Sequence, residues 1–165
     1  MILTGKSHKF GDDINTDYII SGRYKFKTLD MSELASHIFE DIDPDFSKKL
    51  NPGDFIVAGN NFGCGSSREQ AVLALKYAKI GAIIAKSFAR IFFRNGINVG
   101  LVLIETNTDL ISQDDVLEID LTNGQIFNET QNIHIPVKPL PDFLIKIINE
   151  GGIINYLKKY KDFQI

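Results

Sequence analysis

Two glycines, a cysteine, two serines and an arginine share the eight-residue stretch FGCGSSRE, at positions 62–69. The next residues, QAVLALKYAK, have the apolar spacing of a helix. The start of a helix leaves backbone N–H groups without partners and carries a partial positive charge, so it must be capped or must bind an anion. Glycines allow the left-handed backbone of an anion-binding turn. The stretch therefore predicts a cradle for a carboxylate or phosphate, with Gly63 and Gly65 as its glycines.

The two serines have different expected roles at this helix start. Ser66 and Glu69 have the spacing of a capping box. Ser67 and Gln70 have the same spacing one residue later, and only one serine can cap the helix. If Ser67 is the cap, the hydroxyl of Ser66 lies just outside the helix, where it can accept a proton.

Arg68 favours an anion over a purely structural cap. A cation in the first turn is disfavoured by the helix dipole by roughly 0.3–1 kcal/mol, so its placement is better explained if an anion lies opposite it. The planar guanidinium also matches a carboxylate through two parallel hydrogen bonds. The pattern is neither a P-loop nor a dinucleotide fingerprint.

Composition restricts the class of protein. The chain has 165 residues, 44% of them hydrophobic, and a formal charge of -3, which is typical of a soluble globular domain and argues against a nucleic-acid partner. No apolar run approaches the roughly 20 residues of a membrane span, and the N-terminus has no signal-peptide pattern, so we expect a cytoplasmic protein. One cysteine and three scattered histidines offer no metal-ligand spacing, so we expect no metal or cofactor on this chain. Cys64 is interpreted as a small buried residue in a tight loop.

The elements that must position the cradle alternate along the middle of the chain. The runs DFIVAG (54–59) and GAIIAK (81–86) have the pattern of buried strands, with a helix over REQAVLALKYAK (68–79) between them. A second helix over SFARIFFRNGI (87–97) precedes a strand over VGLVLI (99–104). This alternation predicts an α/β core with the cradle at a strand-to-helix junction.

The ends of the chain complete the prediction. ILTGKSHKF (2–10) is a strand, INTDYII (14–20) a second extended segment, and MSELASHIFEDI (31–42) a helix with Ser32 as its N-cap. Three short alternating segments follow after residue 115 and are typical of antiparallel strands, and two amphipathic helices close the chain. We predict one α/β domain over residues 1–165, a mixed sheet flanked by helices with a β-rich C-terminal portion.

Four segments carry a resemblance to a known family: GDDINTDYIISGRY, GDFIVAGNNFGCGSSREQAVLALK, IAKSFARIFFRNGINVGL and FLIKIINEGGIINYL. They resemble the small subunits of 3-isopropylmalate dehydratase, which are aconitase-superfamily swivel domains made as separate chains. The resemblance implies a swivel-type β/β/α fold and a hydro-lyase that interconverts 2-isopropylmalate and 3-isopropylmalate in leucine biosynthesis. It also implies a large subunit that carries a [4Fe-4S] cluster, in a heterodimer or heterotetramer.

Residue roles follow from the same resemblance. Ser66 matches the catalytic base, while Ser67 and Arg68 match contacts to the substrate carboxylate. Asp17, in the TD pair, would orient Arg68 or a substrate group, although a turn-capping role is the alternative. Arg90 and Arg94 lie four residues apart on one helix face, and either a contact to substrate or partner or a structural ion pair would explain them, so we leave both out of the catalytic set.

The loop RYKFKT (23–28) matches the family's substrate-specificity loop, with Tyr24, Lys25, Phe26 and Lys27 as its candidate contacts. Phe26 stands where tricarboxylate-specific relatives tend to carry an arginine, which favours an apolar substituent such as isopropyl. Lys25 and Lys27 keep homoaconitate or cis-aconitate open, and 2,3-dimethylmalate would suit Phe26 equally well. A further alternative, from another class, is a non-catalytic module that binds an anion and performs no chemistry.

Overall fold

The computed structural model describes residues 1–24 and 30–161. Its strands are β1 (Ile2–Lys9), β2 (Phe55–Ala58), β3 (Ala82–Ala85), β4 (Leu103–Glu105), β5 (Val116–Asp120), β6 (Gln125–Asn128) and β7 (Ile133–Pro136). They form one seven-stranded sheet in the order β4-β3-β2-β1-β5-β6-β7. Strands β1 to β4 pair in parallel, and β5 to β7 join the other side of β1 in antiparallel pairing. The sheet is therefore mixed, as predicted.

Seven α-helices lie in the described residues: α1 (Thr16–Ile19), α2 (Met31–Ala35), α3 (Phe46–Lys49), α4 (Glu69–Tyr77), α5 (Arg90–Val99), α6 (Asp142–Asn149) and α7 (Ile153–Tyr160). Two single turns of 3₁₀ helix cover Gly22–Tyr24 and Thr108–Leu110. Among these residues, none of the helices has the length and apolar character needed to cross a membrane.

The parallel half of the sheet is covered on both faces, which is why β2 and β3 are entirely buried. Alternate side chains point to opposite faces of a strand. Ile56 and Ile83 accordingly join one apolar cluster with the helices. Val57 and Ile84 join a second cluster with antiparallel-strand residues such as Ile119. The antiparallel half thus packs over the parallel half, and the predicted swivel-type β/β/α layering is confirmed.

The segment INTDYII is not extended, contrary to our prediction. Residues 16–19 form α1, and the side chain of Asn15 caps it by accepting a hydrogen bond from the backbone N–H of Tyr18 at 3.0 Å. A local cap of this kind compensates for the unsatisfied N–H groups of a very short helix. The apolar pattern of seven residues did not distinguish this arrangement from a strand.

The predicted helix over residues 31–42 is shorter than expected, and its N-cap was wrong. Helix α2 ends at Ala35, and Asp30 rather than Ser32 caps it, with Asp30 Oδ1 accepting from Ser32 N at 2.8 Å. The remainder of the segment forms turns, with Phe39 in a left-handed conformation at φ 56°. Buried Leu34 and Ile38 still contribute to the same core.

Helix α5 is longer than predicted at its C-terminus, so the strand that follows it is shorter. The helix continues to Val99 and ends at Gly100, which has a left-handed φ of 85°. Strand β4 begins only at Leu103. A Cβ at position 100 would lie 2.8 Å from the backbone of Gly151 and Gly152, so the helix end is fixed by packing that is distant in sequence.

Three parallel strands end at the same edge of the sheet, and the loops that leave them contact one another. The N–H of Gly63 donates to the carbonyl of Ile14 at 2.7 Å, and that of Thr16 donates to the carbonyl of Cys64 at 2.9 Å. On the other side, the N–H of Phe62 donates to the carbonyl of Ser87 at 3.0 Å. The glycine-rich loop is therefore held between the loops that follow β1 and β3, at the edge where α/β sheets bind ligands.

Candidate active site

Both glycines of the predicted cradle adopt a left-handed backbone. Gly63 has a φ of 80° and Gly65 a φ of 92°. A Cβ on Gly63 would lie 2.1 Å from Cγ of Phe92, whereas one on Gly65 would come no closer than 3.5 Å to Asn15 or Thr16. Gly63 is thus required by conformation and by contact, and Gly65 by conformation.

Neither serine caps α4, so the prediction of a capping box with Ser67 is wrong. The N-cap is Arg68, in an extended conformation with no side-chain cap hydrogen bond. The carbonyl of Ser66 accepts hydrogen bonds from Arg68 N at 2.8 Å and from Thr16 Oγ1 at 2.9 Å. This turn moves the helix start one residue later, and the side chains of both serines stay outside it and exposed.

Thr16 is a site residue that sequence reasoning missed. It is buried, at 2% exposure, and besides its bond to the Ser66 carbonyl its Oγ1 lies 3.4 Å from Ser66 Oγ. It therefore fixes the position of the Ser66 backbone and contacts the hydroxyl that we assigned as the base. The only sequence signal was its place beside Asp17, because the two contacting segments are 50 residues apart.

Asp17 and Arg68 form an ion pair between the loop after β1 and the start of α4. Arg68 Nη1 lies 2.5 Å from Asp17 Oδ1, and the Arg68 side chain is 18% exposed against 57% for Asp17. Nη1 is shielded from solvent, yet its N–H bonds are not aligned for a hydrogen bond with any described acceptor, Asp17 included. Asp17 thus lies where it can orient Arg68.

A cavity of about 210 Å³ opens beside this turn. Thr16, Gly63 and residues 65–68 line one wall, and residues 89–92 with Asn95, from the start of α5, line the other. Helix α5 also begins without a side-chain cap, at Ala89. Two helices therefore begin at one cavity with their first N–H groups uncapped by side chains, which makes it favourable for an anion.

The two arginines of SFARIFFRN differ in position. Both are exposed, and neither forms an ion pair with another residue in the described parts of the chain. Arg90 lines the cavity, whereas Arg94, one turn further along α5, does not. The structural ion pair that we considered as one explanation is thus not formed within residues 1–24 and 30–161.

The specificity-loop candidates are described only at Tyr24. Its hydroxyl donates to the Glu40 carboxylate at 2.9 and 3.0 Å, and its ring stacks on His37 with centroids 4.0 Å apart. Tyr24 is therefore fixed against the turn after α2. Lys25, Phe26 and Lys27 lie outside the described residues.

Cys64 is half-buried rather than fully buried. Burial raises the pKa of its thiol, and the negative charge of Asp13 raises it further. A thiol with a raised pKa is a weak nucleophile and a weak metal ligand at neutral pH. Across residues 1–24 and 30–161, no three His, Cys, Asp or Glu side chains are grouped so that they could hold a metal ion, so these residues do not fit a [4Fe-4S] cluster.

Comparison with known proteins gives a consistent family. The sequence model of the aconitase C-terminal domain family matches residues 21–109 of this chain. The 3-isopropylmalate dehydratase small subunit 2 of Archaeoglobus fulgidus is 56% identical over 165 residues, covering all of both chains. The methanogen homoaconitase small subunit of Methanocaldococcus jannaschii is 54% identical and covers 99% of this chain and 96% of its own. A crystal structure of 3-isopropylmalate dehydratase from that organism superposes with a TM-score of 0.92 at 55% identity, covering 98% of this chain and 96% of the other.

Proposed function

The chain belongs to the aconitase C-terminal domain family, among the small subunits of dehydratases, and we propose that it is the small subunit of a hydro-lyase that interconverts 2-isopropylmalate and 3-isopropylmalate. In this proposal it supplies the catalytic base and a carboxylate-binding site to a complex with a large subunit. The enzyme would act in the cytoplasm, in leucine biosynthesis. The observation that best supports this function is the exposed position of Ser66 at a cavity where two helices begin. Arg68, which Asp17 orients, lies beside it.

Ser66 is assigned the proton transfer. It removes a proton from the carbon next to a carboxylate, the C–H electron pair becomes the second bond of an alkene, and hydroxide leaves the neighbouring carbon. Readdition of water with the two positions exchanged gives the isomer. A serine is a base only as an alkoxide, and the surroundings favour that anion because Arg68 and the positive ends of α4 and α5 surround the cavity.

Arg68 and Ser67 are assigned to the substrate carboxylate. The ion pair with Asp17 holds the guanidinium in one place before substrate arrives, which lowers the entropy lost on binding. A guanidinium has five N–H donors, so donors of Arg68 beyond the one nearest Asp17 can bind a carboxylate oxygen. Substrate would thus be held close to Ser66, which is adjacent in the same turn.

The large subunit would complete the site from the open side of the cavity. A [4Fe-4S] cluster held by that subunit would supply Lewis-acid chemistry to the departing hydroxide. Ile91, which lines the cavity, is 55% exposed and is therefore an apolar side chain that another chain can contact. Heterodimer and heterotetramer are both compatible with this arrangement.

Homoaconitate is the second candidate substrate, because the relative named as a homoaconitase small subunit is nearly as similar as the dehydratase relatives. The two acids differ in the group that the 23–28 loop is expected to contact. An apolar isopropyl group suits Phe26, while a third carboxylate would require Lys25 or Lys27.

The test is co-expression with the cluster-bearing large subunit, followed by turnover assays on isopropylmalate, homoaconitate, citrate and 2,3-dimethylmalate. We expect isopropylmalate to have the highest kcat/KM. Ser66→Ala should lower kcat by about 10²- to 10⁴-fold, the usual contribution of a general base, while the complex still assembles. Ser32→Ala is the matched control, because Ser32 is an exposed serine in the first turn of α2, away from the cavity.

Three results would contradict the proposal. Equal activity of Ser66→Ala and Ser32→Ala would remove Ser66 from the chemistry. A higher kcat/KM for homoaconitate than for isopropylmalate would identify homoaconitate, the second candidate, as the substrate. Phosphate binding by the isolated chain, with no affinity for a large subunit, would favour the non-catalytic anion-binding module.

A further inference from the structure

The lining of the cavity that contains the serines includes a second arginine. Arg90 is the first residue of α5 and lines the same cavity of about 210 Å³ as Ser66 and Arg68. It comes from the loop after β3, whereas the serine turn comes from the loop after β2. The two arginines therefore approach one small space from different elements of the fold.

The charge of Arg90 is not compensated within the described protein. Arg68 is paired with Asp17, and Arg23 contacts Asp41, but Arg90 is exposed and forms no ion pair with a described residue. The first turn of α5 contains no acidic side chain, and its N-cap has no side-chain hydrogen bond. Both features leave positive charge on this part of the cavity lining, and the helix dipole adds to it.

Asn95 adds a neutral donor to the same cavity lining. It lines the cavity five residues after Arg90, and its side-chain amide forms no hydrogen bond with a described residue. A guanidinium and an amide in the lining of one cavity are suited to a carboxylate, which accepts hydrogen bonds at both oxygens. Arg68 lines the same cavity and is held by its ion pair with Asp17.

We infer that Arg90, assisted by Asn95, binds the second carboxylate of the substrate, while Arg68 and Ser67 bind the first. This inference rests on the proposed function and adds Arg90 and Asn95 to its substrate-binding residues. The cavity is below the roughly 300–1,000 Å³ typical of drug-sized ligands, which agrees with a small acid. Ser66 would then face the carbon atoms between the two carboxylates.

The experiment uses the assembled complex and compares Arg90→Ala with Arg94→Ala. Arg94 is the matched control because it is an exposed arginine on the same helix without an ion pair in the described chain, and it lies outside the cavity lining. The ligands are 3-isopropylmalate and the two half-amides in which one carboxylate is replaced. KM comes from turnover, and the inhibition constant of each half-amide is measured against 3-isopropylmalate.

We expect Arg90→Ala to raise KM for the dicarboxylate by about 10- to 100-fold, the range for loss of a charged hydrogen-bonding partner. One half-amide should already bind weakly to the unmodified complex and lose little further affinity in Arg90→Ala. Arg90→Lys should restore part of the lost affinity. Arg94→Ala should change KM less than about 2-fold, as expected for a surface substitution.

Several outcomes would overturn the inference while leaving the proposed function intact. In one, Arg90→Ala and Arg94→Ala behave alike. In another, Arg90→Ala weakens the dicarboxylate and both half-amides equally, which would indicate a general effect rather than one carboxylate contact. In a third, Arg90→Ala lowers assembly with the large subunit, which would assign Arg90 to the interface. Absence of turnover by the unmodified complex on every hydroxy acid would instead refute the proposed function.

Discussion

Replacing Gly63 by alanine should destabilise the fold through two separate costs. A left-handed conformation costs an L-residue about 1–2 kcal/mol, and Gly63 has a φ of 80°. The added Cβ would also lie 2.1 Å from Cγ and 2.5 Å from Cβ of Phe92. That ring is 3% exposed and packs edge-on against Phe62, so it cannot move aside freely, and overpacking of this kind costs about 1–3 kcal/mol. Together the costs predict a loss of about 2–5 kcal/mol.

Gly65→Ala is the matched control for the backbone cost. Its φ is 92°, but the nearest atom to an added Cβ is 3.5 Å away, which is an ordinary contact. We therefore expect a loss of only about 1–2 kcal/mol. Urea unfolding of the purified chain, followed by circular dichroism, gives both free energies from one assay.

The difference between the two variants isolates the contact with Phe92. In a Phe92→Ala background, which removes Cγ and the ring, Gly63→Ala should cost less than in the unmodified chain, because the closest of these contacts is then absent. Equal losses for Gly63→Ala and Gly65→Ala would refute the reasoning, because the steric term would then be absent.

Two further predictions concern titrating groups. Burial alone would raise the pKa of Asp54, but hydrogen bonds from His8 and from backbone N–H groups, together with the charge of His8, outweigh it and lower that pKa. The ionised Asp54 therefore stabilises the fold at pH values above its unfolded pKa of about 3.9, and this stabilisation is lost as pH falls through the folded pKa. Asp54→Asn should lower the free energy of unfolding by about 1.5–3 kcal/mol at pH 7 and should weaken its dependence on acidic pH, as measured by urea unfolding. An unchanged dependence on acidic pH would contradict this. Because burial and Asp13 raise the pKa of Cys64 above its ordinary 9.0, alkylation by iodoacetamide should be slow at pH 8 and faster in Asp13→Asn, and equal rates would count against the role of Asp13.

Local sequence was sufficient to predict the elements whose signals are local. Continuous apolar runs identified β2 and β3, because strands buried on both faces have no polar alternation. Helix α4 was predicted within two residues of its observed ends. The left-handed turn at Gly63 and Gly65 was also expected, because glycine adopts that conformation at little cost.

Predictions failed where the observed hydrogen bonds differ from those that the local pattern favours. The start of α4 looked like a capping box, but Thr16 binds the carbonyl of Ser66 and shifts the helix start to Arg68. The pattern of INTDYII predicted a strand, but the segment contains a short helix that the side chain of Asn15 caps. A hydrogen bond contributes about 1 kcal/mol, so a few such contacts can shift a helix boundary that the local pattern leaves undecided.

The sequence by itself determined the family and predicted a role for the serine turn, because residue type and spacing within a few positions carry that information. Only the tertiary structure decided which residues share the cavity. The sequence does not distinguish Arg90 from Arg94. The parallel pairing of β2 and β3 brings the loops that follow these strands to one edge of the sheet, and of the two arginines only Arg90 lines the cavity there. A strand pairing between segments 27 residues apart cannot be inferred from either segment alone, and it is this pairing that assembles the site.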